Sequence, residues 1–189
     1  MRDIEIDLAG RTFRLLGESN PISEFIGDAL TANGALPSSS ETADLLIVVR
    51  PLVPLGAGVP SFQLGEAVSQ IGKDGRVVLL LSAIASLPAR GYASYSAAMA
   101  AALAEMRALA IERAPGVLIN AVGIGEVEQA GHIVAGDRRM LGHASVARPG
   151  RIADVVNAVL FLCDPDNTYT TGQILNVDGG WSVGYGRNF

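Results

Sequence analysis

The stretch Gly75-Arg76-Val77-Val78-Leu79-Leu80-Leu81-Ser82 decides the fold, together with the long segment 92–114 and the run Gly116-Val117-Leu118-Ile119-Asn120-Ala121 that follow it. Five consecutive aliphatic residues, with no polar alternation, read as a strand buried on both faces, the pattern of a parallel sheet. Segment 92–114 carries ten alanines and stops at Pro115-Gly116, so it reads as one long helix. The apolar run after it reads as a second strand. Strand, long helix and strand in succession form a crossover unit, which pairs its two strands in parallel.

Working outward, the runs 11–16, 44–49 and 173–177 have the same continuous apolar character. Helices are expected over 21–33, with Pro21 in its first turn and Gly34 at its end, and over 61–72 and 151–163. The last of these carries Ile152, Val155, Val156, Val159, Leu160 and Leu162 along one broad face. The expectation is a single α/β domain over 1–189, with a truncated parallel sheet of about five strands flanked by helices in three layers. Two places are short. Segment 35–41 is too polar and brief for another strand–helix unit, and 50–60, with Pro51, Pro54, Gly56, Gly58 and Pro60, reads as a stiff surface connection.

The 189 residues are 49% hydrophobic and 17% charged, enough apolar material for one core. A formal charge of −5 argues against a nucleic-acid partner, because such a chain cannot neutralise a phosphate backbone. The mean hydropathy of +0.34 prompts a membrane check. The longest uncharged stretch, 51–65, is broken by prolines and glycines and falls short of the roughly 18–20 apolar residues of a span. Met1-Arg2-Asp3-Ile4-Glu5 does not read as a signal peptide, and the lone Cys163 allows no internal disulfide. A cytoplasmic protein is expected, with Cys163 as a buried small hydrophobe. His132 and His143 fall in segment 131–147, read as a loop, with no spaced third ligand, so no metal site is expected. Of the 14 basic residues 13 are arginine, and Lys73 is the one lysine.

Ser82 stands 13 residues before Tyr95, which opens the long helix. Here the chain resembles the short-chain dehydrogenase/reductase family, whose signature is a serine followed by Tyr-x-x-x-Lys. Leu8-Ala9-Gly10-Arg11 is similar to the family's lead into its first strand, and Asn120-Ala121-Val122 to its Asn-Ala turn after a later strand. Arg148-Pro149-Gly150-Arg151-Ile152-Ala153-Asp154-Val155 and Thr171-Gly172-Gln173-Ile174-Leu175-Asn176-Val177-Asp178-Gly179-Gly180-Trp181 resemble its last helix and strand. The resemblance covers nearly the whole chain and implies a Rossmann-like domain built around NAD.

The departures from the family pattern concern its chemistry. The resemblance implies that Ser82 would polarise a substrate oxygen and Tyr95 transfer a proton, with a lysine four residues on lowering the tyrosine pKa. An unaided tyrosine, with a pKa near 10, is ionised in roughly one molecule in a thousand at neutral pH, so a neighbouring cation matters. That position is Met99, and no asparagine lies between Asn33 and Asn120 to complete the family's tetrad. The family's glycine-rich turn binds pyrophosphate by close backbone approach at a helix N-terminus. Its equivalent here, Leu16-Gly17-Glu18-Ser19-Asn20-Pro21-Ile22-Ser23, keeps Gly17 alone, while Pro21 lacks an N–H, Ser23 adds a side chain and Glu18 adds negative charge. The family's Asn-Asn-Ala-Gly run reads Val48-Val49-Arg50-Pro51. Its Pro-Gly turn reads Ile124-Gly125, followed by Glu126 and Glu128. The strand carrying the adenine-ribose selector is read as deleted with its neighbour. Ser82 and Tyr95 are then expected to be vestigial, capping a strand end and a helix start.

These departures imply a chain that binds no cofactor itself and serves as a non-catalytic subunit. NAD and the active site would lie in a catalytic full-length relative, in a hetero-oligomer, by the family's habit a heterotetramer. The narrower likeness is to truncated inactive members whose assembly oxidises a benzylic alcohol of a CoA thioester. Family members pair through the long helix and through the last helix and strand. The expected interface residues are therefore Ala97, Ala98, Ala101, Ala102, Met106 and Leu109, with Val177 and Trp181. Residues Ile4–Leu8 are expected to turn at Ala9-Gly10 and cover the sheet edge left beside 11–16. The tail 182–189, with Tyr185 and Phe189, is a candidate to reach into a neighbour. Two other readings stay open: a self-sufficient enzyme of altered mechanism using Ser82 and Tyr95, and a stand-alone binding or regulatory module.

Overall fold

In the computed structural model, which describes residues 6–54, 59 and 62–183, the continuous apolar runs are the strands of one sheet. Strand β1 (Thr12–Gly17) leads to helix α1 (Pro21–Ala32), β2 (Leu36–Pro37), β3 (Ala43–Val49) and α2 (Leu64–Ser69). Then come β4 (Ile71–Ser82), α3 (Ala93–Arg113), β5 (Val117–Ile124), β6 (Val127–Gln129) and β7 (His132–Ala135). The chain continues through α4 (Arg138–Leu141), α5 (Ile152–Cys163) and β8 (Ile174–Val177). The main sheet is parallel throughout, in the order β2-β1-β3-β4-β5-β8.

The inner lengths of the central strands, such as Leu45–Val49 and Val77–Leu81, are apolar because both faces are covered. Leu46, Val48, Val77, Leu79 and Leu81 face α2 and α3, where Leu64, Val68, Tyr95, Met99, Leu103 and Met106 complete one core. Their neighbours Leu45, Ile47, Val49, Val78 and Leu80 face α1 and α5, against Ile22, Ile26, Leu30, Val155, Val159 and Leu162. Within α3 the buried positions Tyr95, Met99, Leu103, Met106 and Ala110 recur every three or four residues, one face of a 3.6-residue helix. Cys163 is buried, as expected, and burial pushes its thiol up to about 12. No helix among the described residues is long and apolar enough to cross a membrane.

Several expectations are corrected. The sheet has six strands, because Leu36–Pro37, in the segment read as too polar and brief for another strand–helix unit, pairs in parallel with β1 (Thr12 with Leu36, Phe13 with Pro37). The strand read as deleted thus persists as a two-residue stub beside β1. Pro37, without an N–H, limits what a further strand could pair with there. This stub pairs with Thr12 and Phe13 of β1. Leu8 is fully buried and donates its N–H to the Asn33 carbonyl at 2.8 Å, in no strand, while Ile4 and Glu5 lie outside the described residues. The expected helix 61–72 is only Leu64–Ser69, with Ser61 outside the described residues and Ile71 onward already in β4. Segment 131–147 is not simply a loop. It holds β7, paired antiparallel with β6 through the turn Ala130-Gly131, both with positive φ (49° and 82°), and then α4. Positive φ at both central positions suits the right-handed twist of a hairpin. Asn120-Ala121-Val122 lies inside β5, not in a turn after a strand.

Candidate functional site

In an open parallel sheet, ligands are taken outside the carboxyl ends of the strands. There β1 ends at Gly17, whose φ is +99° and whose Cβ, if it had one, would stand 2.1 Å from the Val49 carbonyl oxygen of β3. The Glu18 N–H donates to that same carbonyl at 2.9 Å. The first turn of α1 is closed on itself. Asn20 Oδ1 accepts the Ser23 N–H at 3.0 Å, and Ser23 Oγ accepts the Asn20 N–H at 2.9 Å while donating to the Asn20 carbonyl at 2.8 Å. Pro21 has no N–H. Two of the donor positions with which a helix N-terminus holds an anion are therefore absent or occupied by the chain itself.

Ser82 and Tyr95 sit at the neighbouring strand end. Ser82 is fully buried and its Oγ accepts the Ile84 N–H at 3.4 Å, capping the 3-10 turn Ala83–Ala85, so the expected capping role is found for it. Tyr95 does not cap α3. Its hydroxyl donates across the cleft to the Pro51 carbonyl at 2.5 Å, and the residue is 2% exposed. Burial pushes its pKa up to about 12, with Glu18 adding to the rise and Ser82 and Arg50 opposing it. Met99, four residues on, is wholly enclosed in the α3 core. Segment 50–52 is not a plain surface connection. Arg50 is 8% exposed with its guanidinium 5.4 Å from the Phe62 ring centre, Leu52 is 1% exposed, and the Leu52 carbonyl accepts the Gly136 N–H at 2.9 Å.

The Tyr95–Pro51 bond gives a measurable consequence. Tyr95→Phe leaves the part-buried Pro51 carbonyl without this donor, at a cost of about 0.5–1.5 kcal/mol. A raised folded-state pKa means that Tyr95 stabilises the fold below the unfolded value near 10, and that this is lost as pH climbs toward about 12. Urea melts at pH 8, 10 and 11.5 are expected to show stability falling over that window in the natural chain and much less so in Tyr95→Phe.

Beside this closed cleft lies an open cavity of about 490 Å³, between the Ala83–Ala93 segment and α4, whose lining includes neither Ser82, Tyr95 nor Met99. At one end the Tyr92 hydroxyl donates to Asp137 Oδ2. Arg139 donates Nε to Asp137 Oδ1 at 3.0 Å and Nη2 to Oδ2 at 3.2 Å, and lays its guanidinium 4.6 Å from the Tyr92 ring centre. The Arg139 hydrogen bonds hold the Asp137 carboxyl down at about 2, and the Asp137 bond pushes the Tyr92 hydroxyl upward. The sequence reading missed this cluster. Tyr92 and Asp137 are 45 residues apart, and the signal was limited to Asp137 standing as an N-cap before Arg138-Arg139.

The remaining expected residues divide. Asn120 fixes the approach to β8, donating Nδ2 to the Thr170 carbonyl at 2.8 Å and accepting the Gln173 N–H at 3.0 Å. Lys73 is exposed near the start of β4, in the strand and not at a turn, at the end of the sheet away from Ser82. His132 and His143 belong to no group of metal-ligating side chains among the described residues. Of the expected interface, Ala97 and Ala101 are exposed, and Ala98, Ala102, Leu109 and Val177 are half-buried. Met106 and Trp181 are corrected: they are 0% and 8% exposed and pack inside this chain's own core. Tyr185 and Phe189 lie outside the described residues.

A doubly wound parallel sheet with a shortened strand-1 side defines the class: a Rossmann-like α/β domain of the dinucleotide-binding type. The family model described as enoyl-(acyl carrier protein) reductase matches residues 62–182. The chain belongs to the short-chain dehydrogenase/reductase family. It is 30% identical over 166 residues to a glucose 1-dehydrogenase of Gluconobacter oxydans, covering 82% of this chain and 62% of that protein. It is 31% identical over 126 residues to the 3-oxoacyl-[acyl-carrier-protein] reductase FabG of Escherichia coli, covering 63% and 52%. The chain thus spans under two thirds of the length of these relatives. Among solved structures, a dehydrogenase/reductase from Sinorhizobium meliloti superposes with TM-score 0.76 at 20% identity, over 94% of this chain and 97% of that one. A blue fluorescent protein from a metagenomic library, in complex with NADPH, superposes with TM-score 0.70 at 22% identity, over 93% and 99%.

Proposed function

We propose that this chain is a non-catalytic subunit that assembles with an active full-length family member into an NAD-dependent alcohol dehydrogenase, as a heterotetramer. One observation carries the reading: the Tyr95 hydroxyl, the family's proton-transfer group, is bound to the Pro51 carbonyl at 2.5 Å in a buried cleft. A base needs an accessible hydroxyl and a cation to lower its pKa. Tyr95 has a raised pKa, and a buried Met99 stands in the lysine's place. The residues do not fit a dinucleotide either. The first turn of α1 is self-capped, Glu18 stands beside it, and Arg50 to Leu52 pack across the cleft. No catalytic step is assigned to this chain.

The narrower reading is a likeness to the inactive small subunit of the heteromeric 2-[hydroxy(phenyl)methyl]succinyl-CoA dehydrogenase of anaerobic toluene degradation. The shortened N-terminal half, the degenerate glycine turn and the fuller C-terminal half support it. The assembly would then oxidise a benzylic alcohol of a CoA thioester with the partner's NAD. The proposed contact surface is the outer face of α3, where Ala93, Ala97, Ala100, Ala101, Ala104 and Ala108 are exposed in helical register with Ile111, which is 81% exposed. Small side chains let a partner helix approach closely.

The test is co-expression of the tagged chain with a full-length family member from the same genome. Equimolar retention of that relative is expected, with NADH formed by the complex and not by this chain alone. Ala101→Trp on the exposed face is expected to leave the isolated fold within about 0.5 kcal/mol and to release the partner. Turnover by the isolated chain, or no retention of any relative, overturns the proposal.

A further inference from the structure

The geometry points to a binding site for an amphipathic anion, an apolar body ending in a carboxylate, in the cavity bounded by Leu87, Met140 and Trp181 and by Tyr92, Asp137 and Arg139. The volume of about 490 Å³ lies within the range of small-molecule sites, which combine apolar walls with a few convergent polar groups. Leu87, Met140 and Trp181, with Ile84 and Pro88, supply the apolar walls.

The polar end sets the sign of the ligand. Its one carboxylate, Asp137, already accepts from Arg139 through Nε and Nη2 and from the Tyr92 hydroxyl. Those bonds offset the charge of Asp137 and direct the largely exposed Arg139 over the Tyr92 ring, 4.6 Å from its centre. A guanidinium has five N–H donors in a rigid fork and two are used on Asp137, so the fork keeps donors for an incoming carboxylate. Arg90 lines the same cavity. Two arginines against one carboxylate leave a net positive end, which selects an anion over a neutral or cationic group. The site is independent of the subunit proposal, because it uses neither Tyr95 nor the α3 face.

Trp181 is the chain's one tryptophan and lies in the cavity wall, so its fluorescence reports occupancy directly. The probes are 4-phenylbutyrate and its neutral counterpart 4-phenylbutanol. A saturable change in Trp181 emission is expected with the acid, with affinity about tenfold or more above that of the alcohol, the scale of one charge-assisted hydrogen bond. Arg139→Gln keeps a hydrogen-bonding group toward Asp137 and is expected to weaken the acid about tenfold while leaving the alcohol unchanged. Arg90→Gln, at an exposed position that the fold does not need, is expected to weaken the acid in the same direction. Absence of a saturable change, equal affinity for acid and alcohol, or both variants binding the acid as the natural chain does would overturn the site. None of these failures bears on co-assembly, which is read by retention of the partner.

Discussion

Met99→Lys, the substitution that restores the family's Tyr-x-x-x-Lys, is expected to destabilise the chain by about 3–5 kcal/mol near neutral pH and to form no NADH. The side chain at 99 is fully enclosed among Tyr95, Leu103 and the sheet residues of the α3 core. An ammonium introduced there loses its hydration without a designed partner, and an uncompensated buried charge costs on this scale. The variant responds by lowering its lysine pKa, since burial disfavours the charged form. A depressed folded-state value means that the unfolded chain binds more protons. The penalty is therefore complete at low pH and is relieved as pH rises toward the unfolded lysine value near 10.4. Met99→Leu, of similar volume and no charge, is expected to cost under about 1.5 kcal/mol. Urea melts of both variants at pH 6 and pH 9.5 separate charge from packing. NADH formation by Met99→Lys alone would show that one lysine suffices and that the self-capped α1 turn and the Arg50–Leu52 segment still admit the cofactor.

What the sequence made legible followed from burial. Runs such as Val77–Leu81 are apolar at every position because both sheet faces are covered, so one period-free signal marks each central strand. The stub Leu36–Pro37 carries no such signal, being exposed and two residues long. The β6–β7 hairpin was hidden for a similar reason: its strands are three and four residues, with Glu128 and His132 among them. On α3 the alanines blurred the two faces. Met106 was read as interface and is core, because an apolar residue on an alanine-rich helix does not say toward which side it points. The site shows the sharper limit. The absence of the lysine at 99 was legible through the family resemblance, whereas the Tyr95–Pro51 bond joins residues 44 apart and the Tyr92–Asp137 bond residues 45 apart. Such pairings are set by how loops fold over the strand ends, which local pattern does not encode.

Gly17→Ala is expected to cost about 3 kcal/mol or more, against about 1–2 kcal/mol for Gly10→Ala. Both glycines have positive φ, +99° and +80°, so both substitutions carry the left-handed penalty of an L side chain. They differ in what the new methyl meets. At Gly10 there is nothing within 4 Å, whereas at Gly17 the Cβ would stand 2.1 Å from the Val49 carbonyl oxygen and 3.0 Å from its carbon. That obstacle is backbone in the paired strand, in register with Gly17 itself, and it also accepts the Glu18 N–H. It cannot swing aside as a side-chain tip could without breaking the end of the β1–β3 ladder. The comparison bears on function because Gly17 is the one glycine retained from the family's phosphate-binding turn. If its role is to let β1 leave the sheet past Val49, its retention follows from strand packing and says nothing in favour of a dinucleotide. Equal costs for the two alanine variants in urea melts would remove that explanation and return Gly17 to the list of residues kept for a ligand.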